Sequence, residues 1–346
     1  MKQPSPYILP NEMTIESVLN SFRKSGFFDD EEVEWVESVL TRRDGQPGAD
    51  QLRALIDFVR AERTAGDEWN DYKAKQQARA LLWSAQVSFY RQRHVLVCVP
   101  QRKQHAKYPI PNGTNIRAVQ SMRISLTTCY GLGFAESRVH LAKQALADQS
   151  VTHVLFLDDD ILIPQDAIAK LVAANLPLVA GMYTKKNPTL ESVVTTIAPD
   201  KGYIYGQHMV QPTQTPSEPV PSSACGAGFL LVEVNTFKRL PEPWFQFVYA
   251  ADGSVVIGED SYFIQKATSL GMPTFVLPDV CGVHVDFATG EHFGPEWLVD
   301  PVKRKIRPEY APHYTSFPSD LDVKELLAHD IVDVFGRNKD IKLKSA

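Results

Sequence analysis

Three carboxylates in a row, Asp158-Asp159-Asp160, directly follow four apolar residues, Val154-Leu155-Phe156-Leu157. Adjacent acids repel one another, and a divalent cation relieves that repulsion. Asp158 and Asp160 are two residues apart, so on an extended backbone they point to the same side. Hard oxygen ligands at that spacing suit Mg2+ or Mn2+, with a phosphate to complete the shell. The competing reading is a solvated acidic turn. A second acidic signal, Gly258-Glu259-Asp260, stands before a helical stretch from Ser261 to Leu270 that Gly271 closes. Carboxylates at a helix start are held in their ionised form by the dipole and by backbone N–H groups, so a simple cap explains this pair when taken alone. His284, in Cys281-Gly282-Val283-His284-Val285-Asp286, is the third signal. A single His beside a strand is usually structural, and this one gains weight only from the other two. Lys185 and Lys186, after Tyr183, suit diphosphate oxygens or are a solvated pair.

These residues need elements to position them. The run ending at Leu157 reads as a strand buried on both faces, as in a parallel sheet covered by helices. Ligands of such sheets bind beyond the carboxyl ends of the strands, where the three aspartates fall. Val95-Leu96-Val97-Cys98-Val99, ended by Pro100, is another apolar strand, and Ile124 to Cys129 a further one. Helical patterns run from Glu136 to Ala147 and from Gln165 to Ala174, and Leu178-Val179-Ala180 is a strand. Strands alternating with helices predict an α/β domain with a mainly parallel sheet. Tyr203 to Val210 reads as an antiparallel hairpin, and Phe229 to Val232 as a strand followed by a helix through Phe237. Pro212 to Ser223, rich in Pro and small polar residues, reads as a mobile loop.

Residues 1–92 read as a helical region. Ile15, Val18, Leu19 and Phe22 repeat at helical spacing, as do Leu52, Leu55, Ile56 and Val59, while Trp69, Tyr72, Leu82, Trp83 and Phe89 mark a longer helix. At the other end Val323, Leu326, Leu327, Ile331 and Val334 predict an amphipathic helix, with a tail from Asn338 to Ala346.

A length of 346 residues allows one large domain with additions, or two domains. The formal net charge of −5 gives no general pull toward nucleic acid. Arg91, Arg93, Arg102, Lys103 and Lys107 nonetheless form a local basic stretch. Cys98, Cys129, Cys225 and Cys281 lie far apart without a CxxC pair, which predicts reduced core residues. Met1 to Pro10 holds no apolar segment of the signal-peptide kind, and no apolar stretch is long enough to span a bilayer. The expectation is a cytoplasmic protein without a membrane span; an oligomer is left open.

The ordered set of Asp158-Asp159-Asp160 after an apolar strand, Gly226-Ala227-Gly228-Phe229, Gly258-Glu259-Asp260 and His284 resembles the GT-A glycosyltransferases. The nearest group is the family 2-like glycosyltransferases of bacteria and phages. Val99-Pro100 matches their first strand, and Arg138 matches an Arg on the helix before the DxD strand. The resemblance implies a GT-A fold over residues 93–300, that is, a Rossmann-like α/β sheet, mainly parallel with antiparallel additions. An N-terminal helical extension precedes it, and a C-terminal helix and tail (301–346) follow. The implied activity is metal-dependent transfer from a nucleotide-sugar donor to a hydroxyl.

By the same resemblance Asp158, Asp160 and His284 hold the metal, with Mn2+ favoured over Mg2+ because a neutral imidazole suits it better. Asp260 is the base, with Glu259 as its alternate. Pro100, Arg138, Asp158, Asp159, Lys185, Gly226, Ala227 and Gly228 are the implied donor contacts, the glycine turn letting backbone approach the donor sugar or the acceptor. The acceptor stays open between a glycan, a small molecule and a modified base of phage DNA. Three rivals stand beside this reading. A DxD phosphatase wants Thr or Val where Leu162 stands. A nucleotidyltransferase wants a glycine-rich loop after the first strand. A non-catalytic, metal-dependent sugar-binding protein needs no Gly-Glu-Asp base.

Overall fold

The computed structural model describes residues 14–25, 28–42, 49–62, 68–101, 122–187, 190–196, 208–214, 218–314 and 331–333. The chain divides into two compact units: a helical one, which among the described residues takes in those up to Arg93, Met122 and Val172–Asn175, and an α/β one that holds the central sheet.

The helical unit contains α1 (Ile15–Ser25), α2 (Asp30–Arg42), α3 (Ala49–Glu62) and α4 (Glu68–Arg91). Reciprocal caps start the first two. Thr14 and Ser17 exchange side-chain and backbone bonds, as do Asp29 and Glu32. Val18, Leu19 and Phe22 of α1 are buried, as are Leu52, Leu55, Ile56 and Val59 of α3. Along α4 the buried stripe is Ala74, Ala78, Leu82, Ala85 and Phe89. Trp83, one of the residues that mark this helix in the sequence, is 55% exposed. Its neighbour Leu82 already points inward, and one residue turns a helix by about a quarter of a circle.

The α/β unit begins with β1 (His94–Gln101), β2 (Arg123–Tyr130), α5 (Phe134–Ala147), β3 (His153–Leu157), β4 (Ile161–Leu162), α6 (Ala167–Ala173) and β5 (Leu178–Met182). Short strands follow: β6 (Thr195–Thr196), β7 (His208–Met209) and β8 (Val220–Ser222). Next come β9 (Phe229–Glu233), α7 (Val234–Arg239), β10 (Val248–Tyr249), β11 (Val255–Ile257), α8 (Glu259–Ser269) and β12 (Thr274–Cys281). The unit closes with β13 (Val283–Val285), β14 (His292–Phe293), β15 (Val299–Asp300), β16 (Lys305–Ile306) and β17 (Ile331–Asp333).

The main sheet has the order β17-β2-β1-β3-β9-β5-β12-β8. Strands β2, β1, β3, β5 and β12 share one direction, while β17, β9 and β8 run against it. The result is a mixed α/β, Rossmann-like architecture with a mainly parallel sheet. β1, β3 and β5 are buried along their whole length, which is why their sequences are almost unbroken apolar runs. The same apolar signature in β9 carries no direction, and β9 runs antiparallel between β3 and β5. All four cysteines are buried free thiols.

An aromatic cluster fastens the helices to the sheet. Phe245 and Phe263 stack at 4.5 Å, Phe237 and Phe263 at 5.7 Å, and Phe156 meets Phe245 edge-on at 5.3 Å. Phe156 lies two residues before Asp158, and Phe263 one helical turn after Glu259. Each fully buried ring contributes on the order of 1.5–3 kcal/mol, so the end of β3 and the start of α8 are set by one packed core.

Three sequence expectations change. Pro212 to Ser223 is not a loop throughout: Val220–Ser222 is an edge strand on β12, and the Thr213 N–H donates to the Pro278 carbonyl at 3.0 Å. Ile331, read as helical, lies in β17, paired with Thr127 of β2; Val323, Leu326, Leu327 and Val334 lie outside the described residues. Residues after 300 are therefore in part joined to the sheet, as is also seen where the Tyr314 hydroxyl donates to the Cys281 carbonyl at 2.7 Å. Of the hairpin expected from Tyr203 to Val210, His208–Met209 pairs with Thr195–Thr196, and Tyr203 lies outside the described residues. Arg102, Lys103 and Lys107 lie outside them too. Among the described residues no helix is long and apolar enough to cross a membrane.

Candidate functional site

β3 ends at Leu157, and the chain turns at once. The Asp158 N–H donates to the Gly228 carbonyl at 2.9 Å, and the Ile161 N–H closes the turn onto the Asp158 carbonyl at 3.2 Å. β4 then starts and pairs with β13, setting Ile161 opposite His284. The Val285 N–H also donates to the Asp160 carbonyl at 2.8 Å. A three-stranded sheet, β14-β13-β4, thus carries His284 to the aspartates across 124 residues of sequence (284 − 160).

The side chains meet accordingly. Nε2 of His284 lies 3.8 Å from Oδ1 of Asp160. Nδ1 of His284 lies 2.5 Å from the Thr184 carbonyl. A carbonyl only accepts, so Nδ1 carries the proton and Nε2 of the neutral ring is a lone pair. Burial pushes the imidazole pKa below its usual range, with the Asp160 charge opposing it. The neutral ring therefore aims a lone pair at a carboxylate. On the other side, Lys186 Nζ lies 2.5 Å from Oδ2 of Asp160, whose side chain is 5% exposed. Thr184 and Lys186 follow β5, the strand that runs parallel to β12.

Arg138 of α5 forms the second centre. Its side chain is buried, with Nη2 donating to Oδ1 of Asp158 at 2.9 Å and Nη1 lying 3.6 Å from Oε1 of Glu259. Its Nε and Nη1 atoms make no hydrogen bond. Burial works against its charge, but Asp158, Glu259 and Asp260 outweigh that and raise its pKa. Gly258 caps α8, so Glu259 and Asp260 are the first residues inside the helix. Oδ1 of Asp260 accepts from the Ser261 N–H at 2.6 Å. The sequence alone points to a helix start that keeps Asp260 readily ionised. Instead burial dominates and raises its pKa, against the Ser261 N–H and Arg138. Burial likewise raises Glu259, against Arg138.

The glycine turn has a local cause. A Cβ on Gly226 would collide with the Tyr183 hydroxyl, and one on Gly228 would lie 2.5 Å from Oδ2 of Asp158. The Gly228 N–H donates to the Tyr183 hydroxyl at 3.2 Å, and the Tyr183 ring meets the His284 ring edge-on at 4.9 Å. The close approach that the glycines permit is thus to Tyr183 and Asp158 of the same chain. Ala227 is buried.

Other expected contacts fall elsewhere. Lys185 pairs with Glu191 at 2.8 Å, and it is Lys186 that reaches the aspartates. Asp159 is buried. Pro100 does not end β1; the strand continues to Gln101, and Pro100 is level with Cys129 of β2. Among the described residues no group of three or more His, Cys, Asp or Glu side chains is close enough to hold a metal ion. Asp160 and His284 meet as a pair, and Asp158 turns to Arg138. Tyr183 and Thr184 were not singled out from sequence; their signal is their place, directly past the carboxyl end of an apolar strand.

No family model matches the chain, and no curated protein matches it. Among solved structures, the crystal structure of A197 from STIV matches 58% of this chain and 93% of its own, at 16% identity and a TM-score of 0.39. At that level of likeness nothing is carried across from it to this chain.

Proposed function

We propose that the protein transfers a sugar from a nucleotide-sugar donor to an acceptor hydroxyl, on a sheet of the GT-A kind. The observation that carries this reading is the Asp160–His284 pair. A neutral imidazole lone pair faces a carboxylate oxygen at 3.8 Å, at the carboxyl end of β3, with acids of raised pKa at the start of α8. Two acceptors facing each other suit a shared cation, and the Nδ1 bond to Thr184 is the outer contact that metal-ligating histidines make. Asp160 and His284 would hold Mn2+ or Mg2+. When bound, such an ion supplies Lewis-acid stabilisation of the charge that grows on a leaving diphosphate.

The other roles belong to side chains of this chain. Arg138 fixes Asp158 toward the donor side and neutralises Glu259. Asp260 takes the proton of the acceptor hydroxyl, and its raised pKa makes it the stronger base; help of this kind is worth roughly 10²- to 10⁴-fold in rate. Glu259 is the neighbouring alternate. The acceptor is a glycan, a small molecule or a modified DNA base.

The test is release of nucleoside diphosphate from a panel of sugar nucleotides with Mn2+, in the wild type and in Asp160→Asn. Slow hydrolysis by the wild type that Asp160→Asn abolishes is expected. Donor binding without any turnover, with or without acceptors, would leave a sugar-binding protein; no binding to any sugar nucleotide would end the proposal.

A further inference from the structure

The hairpin that leads into α8 carries a run of exposed apolar side chains. Tyr249, Val255 and Val256 are 59%, 54% and 59% exposed. β10 and β11 pair with each other and, among the described residues, with no other strand. A two-stranded ribbon has little stability of its own, and this one is fastened at both ends. At its tip the Asp252 carboxylate accepts from the Ser254 N–H at 2.9 Å and from the Ser254 hydroxyl at 2.6 Å. Just before it Phe245 stacks on Phe263 of α8, and Phe247 meets the Tyr249 ring at 6.2 Å. Tyr249 is level with Val255, so the two share a face, and Val248 is level with Ile257. Ile257 directly precedes Gly258, the cap of α8. Val255 stands four residues before Glu259, roughly 14 Å at full stretch. The apolar face thus adjoins the two acids of the site. Its charge is as distinctive as its shape. From Trp244 to Gly258 there is no Lys or Arg, Asp252 is the one acid, and Glu259 and Asp260 follow at once.

We infer that this hairpin is the acceptor platform and that the acceptor is a neutral carbohydrate, with a ring stacked on Tyr249. Its place as acceptor rests on the transfer reading above; the binding of a neutral sugar does not. A sugar ring has a face of C–H groups and a rim of hydroxyls. The face suits Tyr249 and Val255, and the rim suits the carboxylates of α8, a mostly apolar wall with a few polar groups being what such ligands take. A phosphate backbone needs cations; here it would meet three acids and no base, which turns the site away from nucleic acid.

Isothermal titration with cellohexaose, maltohexaose and chitohexaose, in the absence of donor, tests the surface. At least one should bind the wild type, equally well in low and in high salt. Tyr249→Ala, a change at an exposed position that leaves the core intact, should weaken that binding about tenfold, the scale of one aromatic contact. Tyr249→Phe keeps the ring and should bind as wild type does. Val302→Ser removes a still more exposed side chain from the turn between β15 and β16 and should also match wild type. No binding by any of the three sugars overturns the inference, as does undiminished binding by Tyr249→Ala. Binding of single-stranded DNA that needs Tyr249 and fades with salt would give the face to a polyanion. Tyr249-dependent binding to phosphatidylcholine vesicles would give it to a lipid, and a dimer that Tyr249→Ala dissolves would give it to a second copy of this chain; each overturns the sugar. Sugar binding that needs Tyr249, in a protein that releases no diphosphate from any sugar nucleotide, keeps the surface and ends the transfer reading. Diphosphate release speeded by a sugar that Tyr249→Ala binds unimpaired keeps transfer and ends this inference.

Discussion

Nε2 of His284 faces Oδ1 of Asp160 at 3.8 Å while the opposite ring nitrogen is fixed on the Thr184 carbonyl. The imidazole is thereby held in one tautomer and one orientation, with its basic nitrogen toward the carboxylate. The pair depends on β13 running antiparallel to β4, because a shift of one residue would turn the side chain to the other face.

His284→Gln should weaken Mn2+ binding by about tenfold or more, as loss of a ligand or its orienting partner does. The pH dependence has a definite sign. Burial puts the folded pKa of His284 below the ordinary 6.5. The unfolded chain therefore binds the proton first as pH falls. The contribution of His284 to stability is complete above 6.5 and is lost as pH falls through the folded value. Thermal melts from neutral to mildly acidic pH should show a steeper loss for wild type than for His284→Gln. Parallel curves would mean that this ring is not buried in its neutral form.

Arg138→Met removes one cation from two carboxylates, Asp158 and Glu259. Breaking a buried ion pair from one side costs roughly 3–5 kcal/mol, so urea denaturation should show a loss of that order. Adding Glu259→Gln should recover part of it, because one of the two stranded charges is then gone. A loss below about 1 kcal/mol, the range of exposed pairs, would show that the three groups are solvated.

The end of β3 was legible because a strand buried on both faces must be apolar, and its first polar residues mark its end. Arg138 was legible only through resemblance, and nothing in the sequence paired it with Glu259. Lys185 and Lys186 are chemically identical in sequence; backbone direction past β5 decides between them and sends one to Glu191 and the other to Asp160. β4 has only two residues, too few for any periodicity, yet its pairing with β13 is what brings His284 to the site. The edge strand Val220–Ser222 hid inside a Pro-rich segment because an edge position tolerates Pro221. The 331–333 strand hid because Ile331 also fits a helical spacing.

Gly226→Ala forces a Cβ into the Tyr183 hydroxyl. The ring has no room to retreat, being buried against His284 and bonded to the Gly228 N–H. Overpacking of this kind costs about 1–3 kcal/mol. Tyr183→Phe deletes the oxygen that is struck, so the double variant should be more stable than Gly226→Ala alone, giving a favourable coupling in a double-mutant cycle. Strict additivity would mean that the turn and the tyrosine do not meet.

Asp260→Asn keeps the shape of the side chain and its bond from the Ser261 N–H while removing the carboxylate. Two consequences follow from one cause. Burial raises the folded pKa of Asp260 above its ordinary 3.8, so the fold favours the protonated acid. The stability this adds is present below 3.8 and is lost as pH rises through the folded value. At neutral pH the wild type therefore bears a buried carboxylate that Asp260→Asn does not, and the variant should melt at least as high as wild type, with the two curves converging in acid. Catalysis moves the opposite way. The ionised form is the one that takes a proton from the acceptor, so turnover should fall about 10²- to 10⁴-fold while donor affinity stays the same. A stability–activity trade of this kind marks a residue kept for chemistry. Near-wild-type turnover in Asp260→Asn would pass the role of base to Glu259, and a product that keeps the anomeric configuration of the donor would remove the single in-line displacement that needs such a base.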